Sequence, residues 1–439
     1  MDPSQRGNRS NPGGEPTALD ARDHRRLGQR LGLFAFDPAV GKGLPLWLPK
    51  GTVIREELEK LAKELEFKAG FERVATPHLA RTALYERSGH LPYFAPDMFP
   101  LLDVVERGDG ADVKDAYALR PMNCPHHHRV FTAEPRSYRD LPLRLAEYGQ
   151  VYRWERSGSL NGIARTRAMC MNDAHIYCTA EQVEPELHAV LDMYAEVYDL
   201  LGITEFRFRL SRHDAGDIRD KYAEAPEEWA WAETLLRGVL ERRGVAYEDG
   251  LGHAAFYGPK IDVQVRTLIG TEETLSTVQL DFVQPVRLGL AYTAASGGPA
   301  VPYCIHRAPL GTHERFVAFL LEHFDGAFPT WLAPVQALVI AVSEAQRDYA
   351  SEIVRRLRTR FVRAELAHDG ETVARNVRDA FERKIPNVIV VGAREQRDGS
   401  VTLRRRGIEQ QAKLSVEELE RRMLAAIERR LPMVEVGTS

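Results

Sequence analysis

Two groups of residues in this chain are of types that could do chemistry. The first is cationic. Across residues 141–178 (LPLRLAEYGQVYRWERSGSLNGIARTRAMCMNDAHIYC), the arginines Arg153, Arg165 and Arg167 and the carboxylate Glu155 all fall at odd positions. On paired strands, residues of equal parity share a face, so these groups are expected on one side of a long hairpin. Guanidinium forks on one face suit a polyanion such as a nucleoside triphosphate. The same pattern also describes a hairpin with solvated charges. The chain has no GxxxxGK[ST] loop and no convincing GxGxxG, so arginines would have to carry any phosphate.

The second group consists of soft ligands. Cys124, His175 and His306 are types that hold zinc, but they stand far apart and no spacing rule joins them. The run His126-His127-His128 is an alternative cluster, although adjacent residues diverge on a strand or a helix and rarely share one ion.

Elements that must position these groups can be read from periodicity. Residues 20–32 are basic and helix-like. Residues 49–70 form an amphipathic helix with a stripe of Val53, Leu58, Leu61, Leu65 and Phe67. A short strand follows and ends at Pro77, and Gly108, Asp109 and Gly110 read as a loop. The central hairpin breaks at Ser157–Gly162, a run rich in turn formers. Helices are expected over 181–201 and 227–243, and strands near 205–210, 261–265 and 278–282. A strand–helix passage spans 303–323. Beyond Pro334, continuous apolar strands (Ala337–Val342, Val388–Val391) alternate with helices, the pattern of a sheet covered on both faces.

Composition sets the outer limits. A chain of 439 residues, 44% apolar and 28% charged, has room for two or three globular domains. A net charge of −4 argues against indiscriminate nucleic-acid binding but permits a local basic face. Four cysteines without a CxxC pair suit a reducing cytoplasm. No apolar run is long enough for a transmembrane helix, so no membrane is expected. Residues 1–17 read as a disordered tail and contain no signal-peptide core.

The stretch LPLRLAEYG, VYRWERSGSLNG, ARTRA and DAHIYC resembles motif 2 of the class II aminoacyl-tRNA synthetases, in particular their threonyl family. DARDHRRLGQRLGLF, RPMNCP, AFYGPKID, TVQLDF, IHRAPLGTHERF and FPTWLAPVQ resemble that family in the same order, almost end to end. The resemblance implies an α+β catalytic domain over 18–333, an antiparallel sheet flanked by helices. An α/β anticodon-binding domain is implied over 334–439. Pro77 corresponds to the motif 1 proline at a dimer interface, which implies a homodimer. The implied reaction is threonine–tRNA ligation: L-threonine is activated with ATP and Mg2+, then transferred to tRNA(Thr).

Residue roles follow by the same resemblance. Cys124, His175 and His306 fall where the family places the ligands of one zinc, with an open fourth position for threonine. Arg153 and Arg315 correspond to the arginines that contact the reacting phosphates. Glu155, Arg165, Met169 and Gln279 fall at nucleotide-binding positions. Asp173, Tyr257, Lys260 and Met171 fall on the amino-acid side, and Glu395 and Arg404 at anticodon-reading positions, with Arg405 and Arg406 beside them. The departures are His126 for glycine, Met169 for phenylalanine, Met171 for glutamine, Asn172 for aspartate and Thr274 for glutamine. These are expected to concentrate at the pocket. They leave two alternatives open: an inhibitor-insensitive duplicate of such an enzyme, or an amino-acid-activating protein that loads a non-tRNA acceptor. The matched order also begins without the editing region of many members, so serine mischarging is expected.

Overall fold

The computed structural model describes residues 21–106, 113–217, 221–268 and 270–436. The expected N-terminal tail and the loop at Gly108–Gly110 lie outside these residues.

One eight-stranded sheet organises the larger region. In chain order its strands are β1 (Glu72–Arg73), β2 (Leu143–Tyr152), β3 (Ala168–Cys178), β4 (Phe206–Arg212), β5 (Tyr247–Leu251), β6 (Lys260–Arg266), β7 (Glu272–Asp281) and β8 (Tyr303–Ala308). They lie side by side in the order β5-β4-β6-β7-β8-β3-β2-β1. The five central pairings are antiparallel, and only the two edge pairings are parallel. This is the expected antiparallel sheet.

Its helices form because the chain supplies caps and apolar stripes. α1 (His24–Leu31) starts where the Asp23 carboxylate accepts the Arg25 N–H at 2.8 Å. α2 (Pro49–Lys68) begins on a proline, which needs no donor in a first turn. Its buried stripe is Ile54, Leu58, Leu61 and Leu65. Phe67 departs from the expected stripe and is 83% exposed, because the 4-3-4 spacing from Ile54 passes it by. α3 (Cys124–Phe131), α4 (Ala180–Leu200), α5 (Pro226–Arg242) and α6 (His313–His323) are the other helices that position the site. Leu187 and Val190 of α4, Trp229 and Leu236 of α5, and Phe316 and Leu320 of α6 pack with Leu58 in one core.

Strand alternation divides the sheet into two faces. Ala174, Ile176 and Ile305 join the helical core, while His175, Tyr177, Cys304 and His306 point to the opposite face beneath α3. Gly149 on β2 makes room there. A Cβ on it would lie 2.3 Å from the Asn123 side chain, at the start of α3.

The C-terminal region has its own sheet: β9 (Ala337–Ala341), β10 (Ala364–Leu366), β11 (Asn387–Val391), β12 (Ser400–Arg405) and β13 (Ile408–Ser415), in the order β10-β9-β11-β12-β13. β9 is parallel to β10 and β11, whereas β12 and β13 add antiparallel neighbours. α7 (Arg347–Thr359), α8 (Val373–Glu382), α9 (Ala393–Asp398) and α10 (Val416–Glu428) accompany it. Val339 and Ile389 pack into one cluster and Leu338 and Val388 into another, so both faces are covered as expected. The sequence reading passed over β12 and β13; β12 ends in arginines although most of its residues are buried, and β13 is exposed along most of its length.

Candidate functional site

The central hairpin differs from its sequence reading. β2 ends at Tyr152 and β3 starts at Ala168, so Arg153, Glu155, Arg165 and Arg167 sit in the connection rather than on paired strands. Parity therefore does not place them; individual contacts do. Arg153 follows β2 directly, its N–H donating to the Arg167 carbonyl at 2.9 Å. Its Nε donates to the Pro121 carbonyl at 3.2 Å, and Nη2 lies 3.8 Å from the Met171 sulfur. Burial and the nearby Arg315 cation pull the Arg153 pKa below its ordinary value.

Arg315 enters from the first turn of α6. Thr312 caps that helix by accepting the Arg315 N–H at 3.2 Å. Gly311, at φ +52°, permits the turn before it, since a Cβ there would meet the Leu275 carbonyl at 2.4 Å. The guanidinium of Arg315 donates to the carbonyls of Ala164 and Thr274, both at 3.3 Å. Arg153, Glu155, Arg165, Met169, Met171, Thr274 and Arg315 thus line one cleft. Within it Arg165 Nε donates to Glu155 at 2.9 Å. Arg167 does not join them. Its guanidinium stacks on Trp154 at 4.0 Å and donates to the Glu155 carbonyl, bracing the loop.

Beneath α3, Cys124, His175 and His306 converge although the sequence separates them widely. All three are buried, and their ligand atoms lie within 4.8 Å of one another. His175 and His306 are cross-strand partners on β3 and β8, and Cys124 opens the helix lying over them. Hydrogen bonds set the tautomers. Glu147 carries the Arg120 guanidinium at 3.3 Å and accepts from the Thr76 N–H and hydroxyl. Burial pushes its carboxyl up, but the His127 bond, the Thr76 N–H and Arg120 outweigh that and hold the pKa at about 2. As an anion, Glu147 accepts from His127 Nε2 at 3.0 Å, and the tautomer with its single proton on Nε2 presents Nδ1 as an acceptor. His175 Nδ1 then donates to it at 2.8 Å. This leaves the His175 Nε2 lone pair free, and that buried atom has no hydrogen-bond partner among the described residues. On the other side, His306 Nε2 donates to Asp281 at 2.9 Å, leaving Nδ1 as its free lone pair. Two imidazoles oriented by carboxylate-anchored bonds, together with a thiol, fit a zinc ion. Burial lowers the His175 pKa and raises that of Cys124, so the imidazole is neutral and the thiol keeps its proton until a cation displaces it.

The amino-acid side adjoins this triad. Asp173, two residues before His175 on the same face, accepts from Asn123 Nδ2 at 3.3 Å, and burial raises its pKa. Tyr257 stacks on His306 at 4.8 Å and donates to Gln279 Oε1 at 2.5 Å. Gln279 thus stands beside the triad rather than in the cleft with Arg153. Lys260 is paired with Asp262 at 2.6 Å.

Two departures lie away from the pocket, contrary to expectation. Asn172 is on the helical face of β3 and donates to Glu66 at 2.9 Å, beside the buried Glu66–Arg307 pair. His126 packs near Tyr85, with ring centroids 6.3 Å apart.

Sequence reasoning weighed His127 only as a ligand and not as a support for His175, and it missed Glu147 and Asp281, whose signal lies in cross-strand register. It also missed His90, a buried residue bonded to Ser88 at 2.8 Å, which burial holds at a pKa of about 3.

In the C-terminal region Glu395 caps its own helix, accepting from Gly392 N–H at 3.0 Å and from the Thr402 hydroxyl at 3.1 Å. Arg404 is on β12 two residues beyond Thr402, and so on the same face. Arg405 and Arg406 are structural: Arg405 donates to the Val434 carbonyl at 3.1 Å, and Arg406 to Ala327 at 2.7 Å.

Comparisons with known proteins agree with this architecture. Residues 105–324 match the tRNA synthetase class II core domain (G, H, P, S and T), and residues 336–425 match an anticodon binding domain. The chain is 47% identical over 385 residues to the threonine–tRNA ligase of Thermus thermophilus, covering 88% of this chain and 58% of that protein. It is 46% identical over 407 residues to the enzyme of that name from Streptococcus gordonii, covering 92% of this chain and 62% of the relative. It therefore spans about three fifths of the length of these curated relatives. Among solved structures, the RNA binding domain of threonyl-tRNA synthetase from Cryptosporidium parvum superposes with a TM-score of 0.84. That pair is 34% identical, with 92% of this chain and 98% of the other covered. With both domains matched and these similarities spanning most of its length, the chain belongs to the threonyl-tRNA synthetase family of class II aminoacyl-tRNA synthetases.

Proposed function

We propose that the chain is a threonine–tRNA ligase, activating L-threonine with ATP to threonyl-adenylate and transferring the threonyl group to tRNA(Thr). The reading rests above all on one arrangement. The Cys124, His175 and His306 triad adjoins Asp173, and the Arg153 and Arg315 cleft opens next to it. Arg153 and Arg315 supply fixed positive charge where the threonine carboxylate attacks the α-phosphorus. Glu155 and Arg165 contact the nucleotide, Met169 covers the base, and Mg2+ accompanies the triphosphate. Gln279 contributes from its place beside Tyr257.

Zinc, when bound to Cys124, His175 and His306, supplies coordination for the amino and hydroxyl groups of threonine. Asp173 accepts the substrate hydroxyl proton, and Tyr257, Lys260 and Met171 bound the amino-acid side. Valine, lacking the hydroxyl, leaves these polar partners unsatisfied and is rejected; an apolar pocket alone separates such isosteres only about 100-fold. In the C-terminal domain, Arg404 and Glu395 read single-stranded anticodon bases through guanidinium and carboxylate contacts. Pro77 lies at the interface of a homodimer. Four buried free cysteines suit the reducing cytoplasm, and no helix among the described residues is long and apolar enough to cross a membrane.

ATP–pyrophosphate exchange with threonine, serine and valine, followed by transfer to tRNA, tests the reading. Threonine-dependent exchange with transfer is expected, and Arg404→Ala should weaken transfer while sparing exchange. Exchange without transfer would point to a different acceptor, and no exchange would overturn the assignment.

A further inference from the structure

The three consecutive histidines of α3 serve three separate places. His126 faces Tyr85, and His127 bridges Glu147 and His175. His128 belongs to neither of these settings. It lies one helical turn beyond Cys124 and is fully buried.

Geometry explains where it points. Four helical residues advance about 6 Å along an axis, and two strand residues advance about 6.6 Å. α3 therefore keeps step with the antiparallel pair β3 and β8 beneath it. The first rung is Cys124 over the cross-strand pair His175 and His306. The next is His128 over the pair Tyr177 and Cys304. His128 Nδ1 sits 2.9 Å from the Tyr177 hydroxyl, and its Nε2 is buried with no hydrogen-bond partner among the described residues. Cys304 is fully buried with a free thiol. The ligand atoms of His128, Cys304 and His306 lie within 4.8 Å of one another, as close as those of the first triad.

We propose that His128, Cys304 and His306 form a second seat for a thiophilic divalent cation of the zinc class, alternative to the seat at Cys124 and His175. One thiolate and two imidazoles are the donor set such ions prefer. The two seats share His306. Because Asp281 holds its Nε2, only Nδ1 is free to bind a metal, so one ion occupies either rung but not both. Asp173 lies beyond the first rung on the side away from Cys304, since β3 runs Asp173, His175, Tyr177 along this face. An ion in the second seat is therefore set back from the Asp173 carboxylate and idle for threonine. The alternation rests on the proposed metal role of the first triad, whereas the second seat stands on its own ligands.

Cobalt(II) added to the metal-depleted full chain is the test, read by thiolate-to-cobalt charge-transfer absorption and by stoichiometry. Wild type should bind one Co2+ per chain with a thiolate band. Cys124→Ser should keep a band through Cys304, and Cys124→Ser/Cys304→Ser and Cys124→Ser/His128→Asn should lose it. Cooperative unfolding and unchanged circular dichroism identify variants that fold. A wild-type band that vanishes in folded Cys124→Ser overturns the second seat and leaves the first triad standing. A band that survives in Cys124→Ser/Cys304→Ser overturns it too, because another cysteine would be the ligand. Two Co2+ per wild-type chain would overturn the alternation, and a wild type without any band would overturn the metal reading of both triads.

Discussion

The triad pocket and the arginine cleft adjoin one another, yet they are built on opposite principles. In the pocket every ligand is buried, and burial keeps His175 neutral and the Cys124 thiol protonated. Its order comes from hydrogen bonds that run back to buried carboxyl groups, through His127 to Glu147 on one side and directly to Asp281 on the other. The cleft instead holds permanent charge. Arg153 and Arg315 are aimed by backbone carbonyls of Pro121, Ala164 and Thr274, and Glu273 stands 3.6 Å from Arg315. Donating to carbonyls fixes a guanidinium without neutralising it, so the charge of Arg153, and that of Arg315 beyond its ion pair with Glu273, stays available to a phosphate. On the proposed function, selectivity falls to a buried, oriented donor set and charge stabilisation to a pair of aimed cations.

That division can be broken at either end. The largest effect is expected in the cleft: Arg153→Gln should lower kcat of pyrophosphate exchange by about 10²–10³-fold, the usual loss when a group that stabilises developing charge is removed. An unchanged kcat with raised KM would instead make Arg153 a uniform binder of ATP. A smaller effect is expected in the pocket. His127→Gln should weaken metal binding by about 10–100-fold in chelator competition, with exchange recovering at saturating zinc, because only the orientation of His175 is lost. Unchanged metal affinity would sever the link from Glu147 to the triad. The smallest concerns the helical face of β3. Asn172→Asp sets a second carboxylate against Glu66 and should lower stability in urea by about 1 kcal/mol while leaving the threonine KM unchanged. A shifted KM without loss of stability would return position 172 to the pocket.

The sequence carried most helices, because long amphipathic segments such as Ala180–Leu200 repeat their pattern many times, whereas the antiparallel sheet was expected only from family resemblance. It carried the triad only through family resemblance, since Cys124, His175 and His306 meet by strand register and by the crossing of a short helix. Parity misled at Arg153, Glu155, Arg165 and Arg167 because the strands end sooner than the alternation suggests. It would have served at Asn172, which alternation places opposite Asp173. The β12–β13 hairpin escaped notice because an edge strand such as Ile408–Ser415 buries almost nothing. Arg405 and Arg406 resembled part of a basic patch, yet both are spent on carbonyls of the fold.

The central claim is that a metal held by Cys124, His175 and His306 reads the substrate hydroxyl. Its most direct test is pyrophosphate exchange with threonine and with valine, run on the zinc-loaded and the metal-depleted chain. A site that satisfies its buried polar groups only with a hydroxyl should favour threonine by on the order of 10⁴-fold when loaded, and threonine-dependent exchange should collapse on metal removal. Discrimination of only about 100-fold, or exchange indifferent to the metal, would mean that pocket shape alone selects the substrate.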